Sequence, residues 1–139
     1  MLISEFSMTP FEGFLDDYRN AVCRNDVDAL LDSYNFPLTL HDGDTTVVLA
    51  DAAAAEKALG MLRNFYEDLG MDRMETRYVA SHRVSHDFVL VDVIWRLVDA
   101  DRMPICDQRS TFALRHAAKR AKIVAVFLHE DVMPLYGNA

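Results

Sequence analysis

A few polar and aromatic side chains have the right types and spacing to hold a ligand or move a proton. His41 directly follows an alternating strand pattern, where an imidazole can project from a strand end as a general base. Asp107 and Arg109 are two positions apart on another predicted strand, so they share a face. Tyr18 and Trp95 lie on apolar faces, where a hydroxyl and an indole N–H can orient a bound molecule. We therefore take His41 and Asp107 as the candidate catalytic residues.

The same residues also have simpler structural interpretations. Tyr18 and Trp95 are typical of aromatic residues that fill a core, and a histidine beside an Asp-Gly dipeptide is typical of a surface turn. Under the functional interpretation these positions converge on a pocket, and under the structural one they pack against one another or lie on the surface.

Metal and cofactor chemistry has little support in the sequence. Cys23 and Cys106 have no neighbouring cysteine, and a predicted turn separates His82 from His86 without a second pair of ligands. No glycine-rich phosphate loop, serine-nucleophile motif or dinucleotide fingerprint occurs. We expect no metal, no cofactor and two buried free thiols, which by default indicates a reducing, cytoplasmic location.

The composition predicts one globular domain over residues 1–139, with its core at about residues 9–130. The chain is 51% hydrophobic and 26% charged, and its formal net charge is −8. This charge repels phosphate backbones, so nucleic acid is not an expected partner. The longest unbroken apolar run, residues 123–128, is much shorter than the about 20 residues that a membrane helix needs, so no membrane partner is expected either.

Three helices are predicted in the first half of the chain. Residues 9–12 combine a hydroxyl cap, a proline and a glutamate, which is typical of a helix start. Asp26 and Asp51 offer caps for a second and a third helix, and Gly70 stands where a left-handed cap ends the third. Gly60 predicts close packing inside that helix. The apolar stripes are Phe11, Phe14, Leu15, Tyr18 and Val22; Val27, Leu30, Leu31 and Tyr34; and Ala55, Leu59, Leu62, Phe65, Tyr66 and Leu69.

The remaining segments have the alternation and composition of strands. Residues 36–40 and 45–49 flank the turn dipeptide at 42–43 and predict a hairpin. Four long runs rich in β-branched and aromatic residues then follow, at 75–84, 88–99, 105–115 and 122–130. Long strands twist and curl, so we expect an α+β fold with three N-terminal helices packed on one face of a bent, mixed or antiparallel sheet.

The register of the strand at 105–115 decides which side chains face the helices. Strand 88–99 has one wholly apolar face, which includes Trp95 and is expected to meet the helices. If the turn between these strands has an even number of residues, Gln108 and Ser110 join Trp95; if it is odd, Asp107 and Arg109 do. Binary patterning favours the even turn, because it collects the charged side chains on the second face. That half-apolar second face also suggests a homodimer contact.

The order of these elements resembles the nuclear-transport-factor-2-like (NTF2-like) superfamily, which includes ketosteroid isomerases and SnoaL-like polyketide cyclases. Residues 109–115 and 122–124 also resemble the final hairpin of its many small members. The resemblance covers residues 9–130. It implies a cone-shaped, barrel-like α+β roll of the cystatin-like type, in which helices and a strongly curved sheet enclose a pocket for an apolar small molecule. It also implies frequent pairing of subunits through their sheets.

The resemblance suggests roles for individual residues. Tyr18 is similar to the first-helix tyrosine of ketosteroid isomerases, and Asp42 is near the position of their general-base carboxylate. An Asp107–Arg109 pair in the cone resembles the pattern of limonene epoxide hydrolases.

Two functions remain open from the sequence. One is an isomerase, cyclase or hydrolase that acts on an apolar ligand by general acid–base chemistry; the other is a non-catalytic ligand-binding or dimerisation module. The non-catalytic function predicts a closed, aliphatic interior. Where a ligand pocket forms, we expect its wall to consist of Tyr18, Phe36, His41, Tyr78, Trp95, Gln108 and Arg109.

Overall fold

The described chain forms three α-helices and one six-stranded sheet. The structure is a computed structural model that describes residues 3–117 and 120–129. Within that part of the chain, no helix has the length and apolar character needed to cross a bilayer. The helices are α1 (Ile3–Arg24), α2 (Val27–Asp32) and α3 (Ala52–Leu69), and the strands are β1 (Tyr34–Asp42), β2 (Thr45–Leu49), β3 (Arg73–Arg83), β4 (Phe88–Val98), β5 (Pro104–Ala117) and β6 (Arg120–Leu128).

The second and third helices begin and end where the capping residues predict. The Asp26 carboxylate accepts a hydrogen bond from the Ala29 amide at 3.2 Å, and the Asp51 carboxylate accepts one from the Ala54 amide at 3.0 Å. Gly70 closes α3 with φ of 79°, a left-handed conformation that costs glycine little.

Three local predictions were wrong. Helix α1 begins at Ile3, so residues 9–12 lie inside it; a single proline removes one helical hydrogen bond without ending this helix. Tyr34 opens β1 instead of extending α2. Gly60 has open space where a side chain would project, so it does not mark close packing. The predicted end of the last strand, residue 130, lies outside the described residues.

The six strands form one mixed sheet in the order β2-β1-β6-β5-β4-β3. The pairs β3–β4, β4–β5 and β5–β6 are antiparallel, as is the β1–β2 hairpin, whereas β1 runs parallel to β6. The parallel pairing returns the early hairpin to the far side of the last strand. The predicted α+β fold, with helices packed on a curved mixed sheet, is confirmed.

Irregularities in strand pairing curve the sheet around the helices. The register shifts once in each of the pairs β1–β6, β3–β4, β4–β5 and β5–β6. Each such bulge bends its strand and increases its twist. The sheet does not close in the described part of the chain, because β2 and β3 remain its edges. The result is an open, curved sheet with the helices on its concave side.

The two faces of the sheet differ sharply in chemistry. On β4, the residues that face the helices are wholly apolar and fully or nearly fully buried: Val89, Val91, Val93, Trp95 and Leu97. We call this side the inner face. Trp95 is directly opposite Gln108 in the β4–β5 ladder, so both side chains lie on it. The register favoured by patterning is therefore the one adopted, and Asp107 and Arg109 lie on the outer face.

Candidate functional site

A cavity of about 450 Å³ lies between the inner face and the helices. Helix α3 lies across it, and α1 contributes Tyr18 and Val22 to one side. Its wall is mostly aliphatic and aromatic, as in pockets that take apolar small molecules. The strands contribute Tyr34, Leu38, Leu40, Leu49, Trp95, Gln108, Ser110, Phe112, Val126 and Leu128, and α3 contributes Ala55, Ala58, Leu59, Met61, Leu62, Phe65 and Tyr66.

A pair of tyrosines provides the first polar group of the cavity. The hydroxyls of Tyr18 and Tyr34 are 2.8 Å apart and hydrogen-bonded, and both residues are buried. Tyr18 also packs on Trp95 and Phe112, with ring centroids 6.2 and 5.6 Å away. Burial raises the pKa of both tyrosines, and it raises that of Tyr18 well above its usual range. Both therefore remain neutral at physiological pH.

The second polar group joins the helical layer to the sheet. The Tyr66 hydroxyl on α3 donates to Oε1 of Gln108 on β5 at 2.9 Å. Burial raises the pKa of Tyr66 as well, although the hydrogen bond to Gln108 opposes the shift. Ser110 follows Gln108 on the same wall and is buried. All the polar groups on this wall are thus neutral hydroxyls or an amide.

Exposed apolar side chains surround the opening of the cavity. Met61 and Phe65 on α3 are 67% and 50% exposed, and Leu128 at the end of β6 is 46% exposed. All three also line the cavity. Large exposed apolar residues that converge on one concavity are typical of a binding site, because each costs free energy in water unless something covers it.

Side chains that are charged at neutral pH are absent from the cavity wall in the described part of the chain. No lining residue carries a carboxylate, an imidazole, an ammonium or a guanidinium group. A general base at neutral pH needs such a group, whereas a neutral phenol with a raised pKa donates hydrogen bonds. The chemistry available on this wall is the exclusion of water and the orientation of a ligand by hydrogen bonds.

The structure brings together three of the residues predicted to form the pocket. Tyr18, Trp95 and Gln108 line one cavity, on α1, β4 and β5 respectively. Tyr18 and Trp95 also contact each other, so their predicted core role and their predicted pocket role coexist.

Two predicted residues on β1 lie away from the cavity wall. Leu38 and Leu40 line the cavity, so alternation directs His41 to the outer face. There its ring stacks on Phe127 at 4.7 Å, and its Nε2 is 3.0 Å from the hydroxyl oxygen of Thr39. Phe36 is half-buried and packs edge-on against Tyr34 without reaching the cavity.

The other predicted residues lie on the outer face of the central strands. Asp107 forms an ion pair with Arg96, with 2.8 Å between Oδ1 and Nε. Arg109 and Tyr78 are both partners of Ile94 in the sheet register, and Tyr78 is 49% exposed. The Asp107–Arg109 pair therefore does not enter the cone. Asp42, the position suggested for a base, is exposed at the end of β1.

Two polar residues of the cavity, Tyr34 and Tyr66, were missed, because the spacing of each is also that of simple helix packing. Ser110 lies beside Gln108 on the inner face, as the even-turn register predicts. The hydrogen bond between Tyr66 and Gln108 could not be predicted from local spacing, because the two residues are 42 positions apart in the sequence.

A second cleft, of about 370 Å³, lies between α1, α2 and the end of the β5–β6 hairpin. Among its charged residues, Arg120 donates to Asp32 at 2.8 Å. Its His116 ring packs edge-on against Phe11. Elsewhere in the described chain no group of metal-ligating residues converges, and Cys23 and Cys106 are free thiols, of which Cys106 is buried.

Comparison with known families identifies the family of this chain. The sequence profile of the NTF2-like protein family DUF6841 matches residues 5–131. The chain belongs to this family. The predicted resemblance to NTF2-like proteins is thereby confirmed. Among curated proteins, none matches this sequence.

Solved NTF2-like structures share the fold over most of the chain. A cystatin-like-fold protein of unknown function from Nostoc punctiforme is 8% identical with a TM-score of 0.74, covering 97% of each chain. An NTF2-like protein of unknown function from Pseudomonas putida is 14% identical with a TM-score of 0.68, covering 90% of this chain and 87% of that one. Another from Shewanella oneidensis is 17% identical with a TM-score of 0.64, covering 88% and 98%. At these identities the likeness establishes the fold alone.

Proposed function

We propose that this NTF2-like protein binds a neutral, largely apolar small molecule in the central cavity. The observation that carries the proposal is the composition of the wall: an apolar cavity of about 450 Å³ whose polar groups are all uncharged. Burial of a ligand's apolar surface supplies the main driving force, at about 25 cal/mol per Å² of area removed from water. The exposed side chains of Met61 and Phe65 at the opening gain from the same burial.

The uncharged wall also sets the ligand's charge. A carboxylate or an ammonium group moved from water into an apolar site loses its hydration and needs a charged partner there. The described wall offers hydroxyls and one amide, which pair well with carbonyl or hydroxyl groups. Neutral ligands are therefore favoured over their charged analogues.

The same wall favours binding over acid–base catalysis. His41 and Asp107, the predicted catalytic residues, have their side chains on the outer face of the sheet. The tyrosines at the cavity hold their protons more tightly than usual, because burial raises their pKa values. A non-catalytic ligand-binding protein is accordingly the function that the geometry supports best.

Blocking the cavity tests this proposal. N-phenyl-1-naphthylamine, an uncharged fluorescent probe, is expected to bind the wild-type protein and to be excited by energy transfer from Trp95, the single tryptophan of the chain. The variant Ala58→Phe places a ring in the cavity and is expected to weaken binding at least about 10-fold, because it removes room for the probe. Ala53→Phe, on the exposed side of the same helix, is the matched control. Equal affinities of the two variants would contradict the proposal.

We also propose that two copies pair through the outer face of the sheet. This face exposes the apolar Tyr78 ring, together with Phe127 and Val48, to water. Its charges are nearly balanced, in a molecule whose formal net charge is −8. A second copy therefore meets less like-charge repulsion here than elsewhere on the surface. The charged residues of β4 and β5 on this face are Arg96, Arg109, Arg115, Asp92 and Asp107.

Light scattering at micromolar concentration is expected to give the mass of a dimer. Tyr78→Glu adds a charge to the apolar part of the outer face and is expected to raise the dimer dissociation constant at least about 10-fold, because the carboxylate would have to be desolvated. Val84→Glu is the control, since Val84 is equally exposed but lies in the β3–β4 turn. A monomeric wild-type protein would defeat the pairing proposal and leave the ligand proposal intact.

A further inference from the structure

Gln108 is hydrogen-bonded to a residue from the opposite layer. Its Oε1 accepts the hydrogen of the Tyr66 hydroxyl at 2.9 Å. Tyr66 is buried, and burial raises its pKa, so it retains that hydrogen over the physiological range. The amide oxygen of Gln108 is therefore already occupied before any ligand enters.

The structure directs the amide oxygen of Gln108 toward the phenol. A flipped Gln108 would donate from its NH2 group to the phenol oxygen and would leave the Tyr66 hydrogen without the amide oxygen as its acceptor. The pair therefore has the same number of unpaired donor hydrogens in both orientations, and either orientation favours a ligand that brings an acceptor.

In the observed orientation, the amide leaves two hydrogens without a protein acceptor. Nε2 of Gln108 makes no hydrogen bond within the described part of the chain, and the side chain lines the cavity. Gln108 is directly opposite Trp95 in the sheet and is followed on this wall by Ser110. An N–H group on an apolar wall gains most from an acceptor that arrives with the ligand.

We infer that Gln108, held by Tyr66, is the specificity-determining residue of the cavity and selects ligands with an acceptor oxygen such as a ketone. This inference rests on the proposed ligand-binding function and adds the chemical class of the ligand. A ketone oxygen satisfies the Gln108 amide, whereas a hydrocarbon of the same shape leaves it unpaired in an apolar site. Discrimination against an analogue that lacks the matching polar atom is larger than discrimination by shape alone.

Two probes of matched shape isolate this effect. 2-Adamantanone and 2-methyleneadamantane differ in that a C=CH2 group replaces the C=O group. Their binding is followed by the fluorescence of Trp95, which is on the cavity wall, and by calorimetry. The wild-type protein is expected to bind the ketone about 10-fold more tightly than the alkene, the factor that corresponds to one net hydrogen bond.

Variants assign the preference to the amide. Gln108→Met keeps the length of the side chain but removes both amide donors, and combining it with Tyr66→Phe also removes the phenol that would otherwise lose its acceptor and be free to donate to the ketone. In this double variant the ketone-to-alkene ratio is expected to fall to about 1 with little change for the alkene. Tyr66→Phe frees the amide to turn its oxygen toward the ligand and is expected to reduce the ratio partly. Asn64→Leu, which removes an exposed amide from α3 outside the cavity wall, is the control and is expected to keep the wild-type ratio.

The outcomes separate this inference from the function on which it rests. Equal binding of both probes to the wild-type protein, or an unchanged ratio when Gln108→Met is combined with Tyr66→Phe, would overturn the role of Gln108 while leaving ligand binding in place. If neither probe nor N-phenyl-1-naphthylamine binds the wild-type protein, the ligand-binding proposal fails together with this inference.

Discussion

Raising the pH above about 10 is expected to destabilise the protein steeply, because three buried tyrosines must keep their protons in the folded state. Burial raises the pKa values of Tyr18, Tyr34 and Tyr66. In the unfolded chain each phenol loses its proton near pH 10, whereas in the native protein it still holds it. The unfolded state then binds fewer protons than the native state, so the free energy of unfolding decreases as the pH increases. Below the unfolded pKa this contribution is fully present.

The expected slope is large because the three residues act together. One tyrosine contributes about 1.4 kcal/mol per pH unit between its unfolded and native pKa values, so three contribute up to about 4 kcal/mol per pH unit. A domain with a total stability of about 5–15 kcal/mol would unfold within a few pH units. Burial also raises the pKa of the Cys106 thiol, which adds a slope of the same sign at lower pH.

Urea unfolding at a series of pH values, in a Cys106→Ala background, measures this slope. Substituting phenylalanine at positions 18, 34 and 66 is expected to flatten the slope stepwise, whatever each substitution does to stability at neutral pH. Leu40→Ala is the control, because it destabilises the protein while retaining the three phenols. If the slope of the triple variant matches that of the wild type above pH 10, these tyrosines are not buried as neutral groups in solution.

Much of the fold was predictable because its signals are local. Asp26 and Asp51 cap helices with their own side chains, and Gly70 ends α3 with a conformation that favours glycine. The change of apolar period from about 3.6 to 2 after α2 marks the start of the sheet. These signals depend on neighbours within a few positions, so a single sequence contains them. The prediction that Tyr34 belongs to α2 was wrong, because an apolar residue at the end of a helical spacing can also begin the alternation of a strand.

The site was less predictable because it depends on pairings between distant residues. The outer-face position of Asp107 and Arg109 follows from the register of β4 and β5, and patterning favoured that register without fixing it. The parallel pairing of β1 with β6 has no local signal, since the two strands are separated by most of the chain. Likewise, Tyr66 and Gln108 meet only because α3 crosses the inner face at the height of Gln108. Local patterns place residues on faces, and tertiary packing decides which of them meet.

A leucine-to-alanine substitution is expected to lower the free energy of unfolding more in the packed core than on the cavity wall. Leu114 is fully buried on β5 away from the cavity, so Leu114→Ala leaves a void surrounded by side chains and is expected to lower the free energy of unfolding by about 2–5 kcal/mol. Leu40 lies on the cavity wall, where its outer atoms already face open space. Leu40→Ala is therefore expected to cost about 1 kcal/mol, because it creates no new enclosed void.

Chemical denaturation of both variants at neutral pH measures these costs, and the m-value of each transition checks that the native state remains compact. Leu40→Ala also enlarges the cavity, so its affinity for a bulky neutral probe is expected to be retained, whereas a collapsed cavity would bind less. Similar costs for the two leucines would mean that the space beside Leu40 is filled by side chains in solution. The difference between the two variants thus tests the existence of the cavity without requiring that the ligand be known.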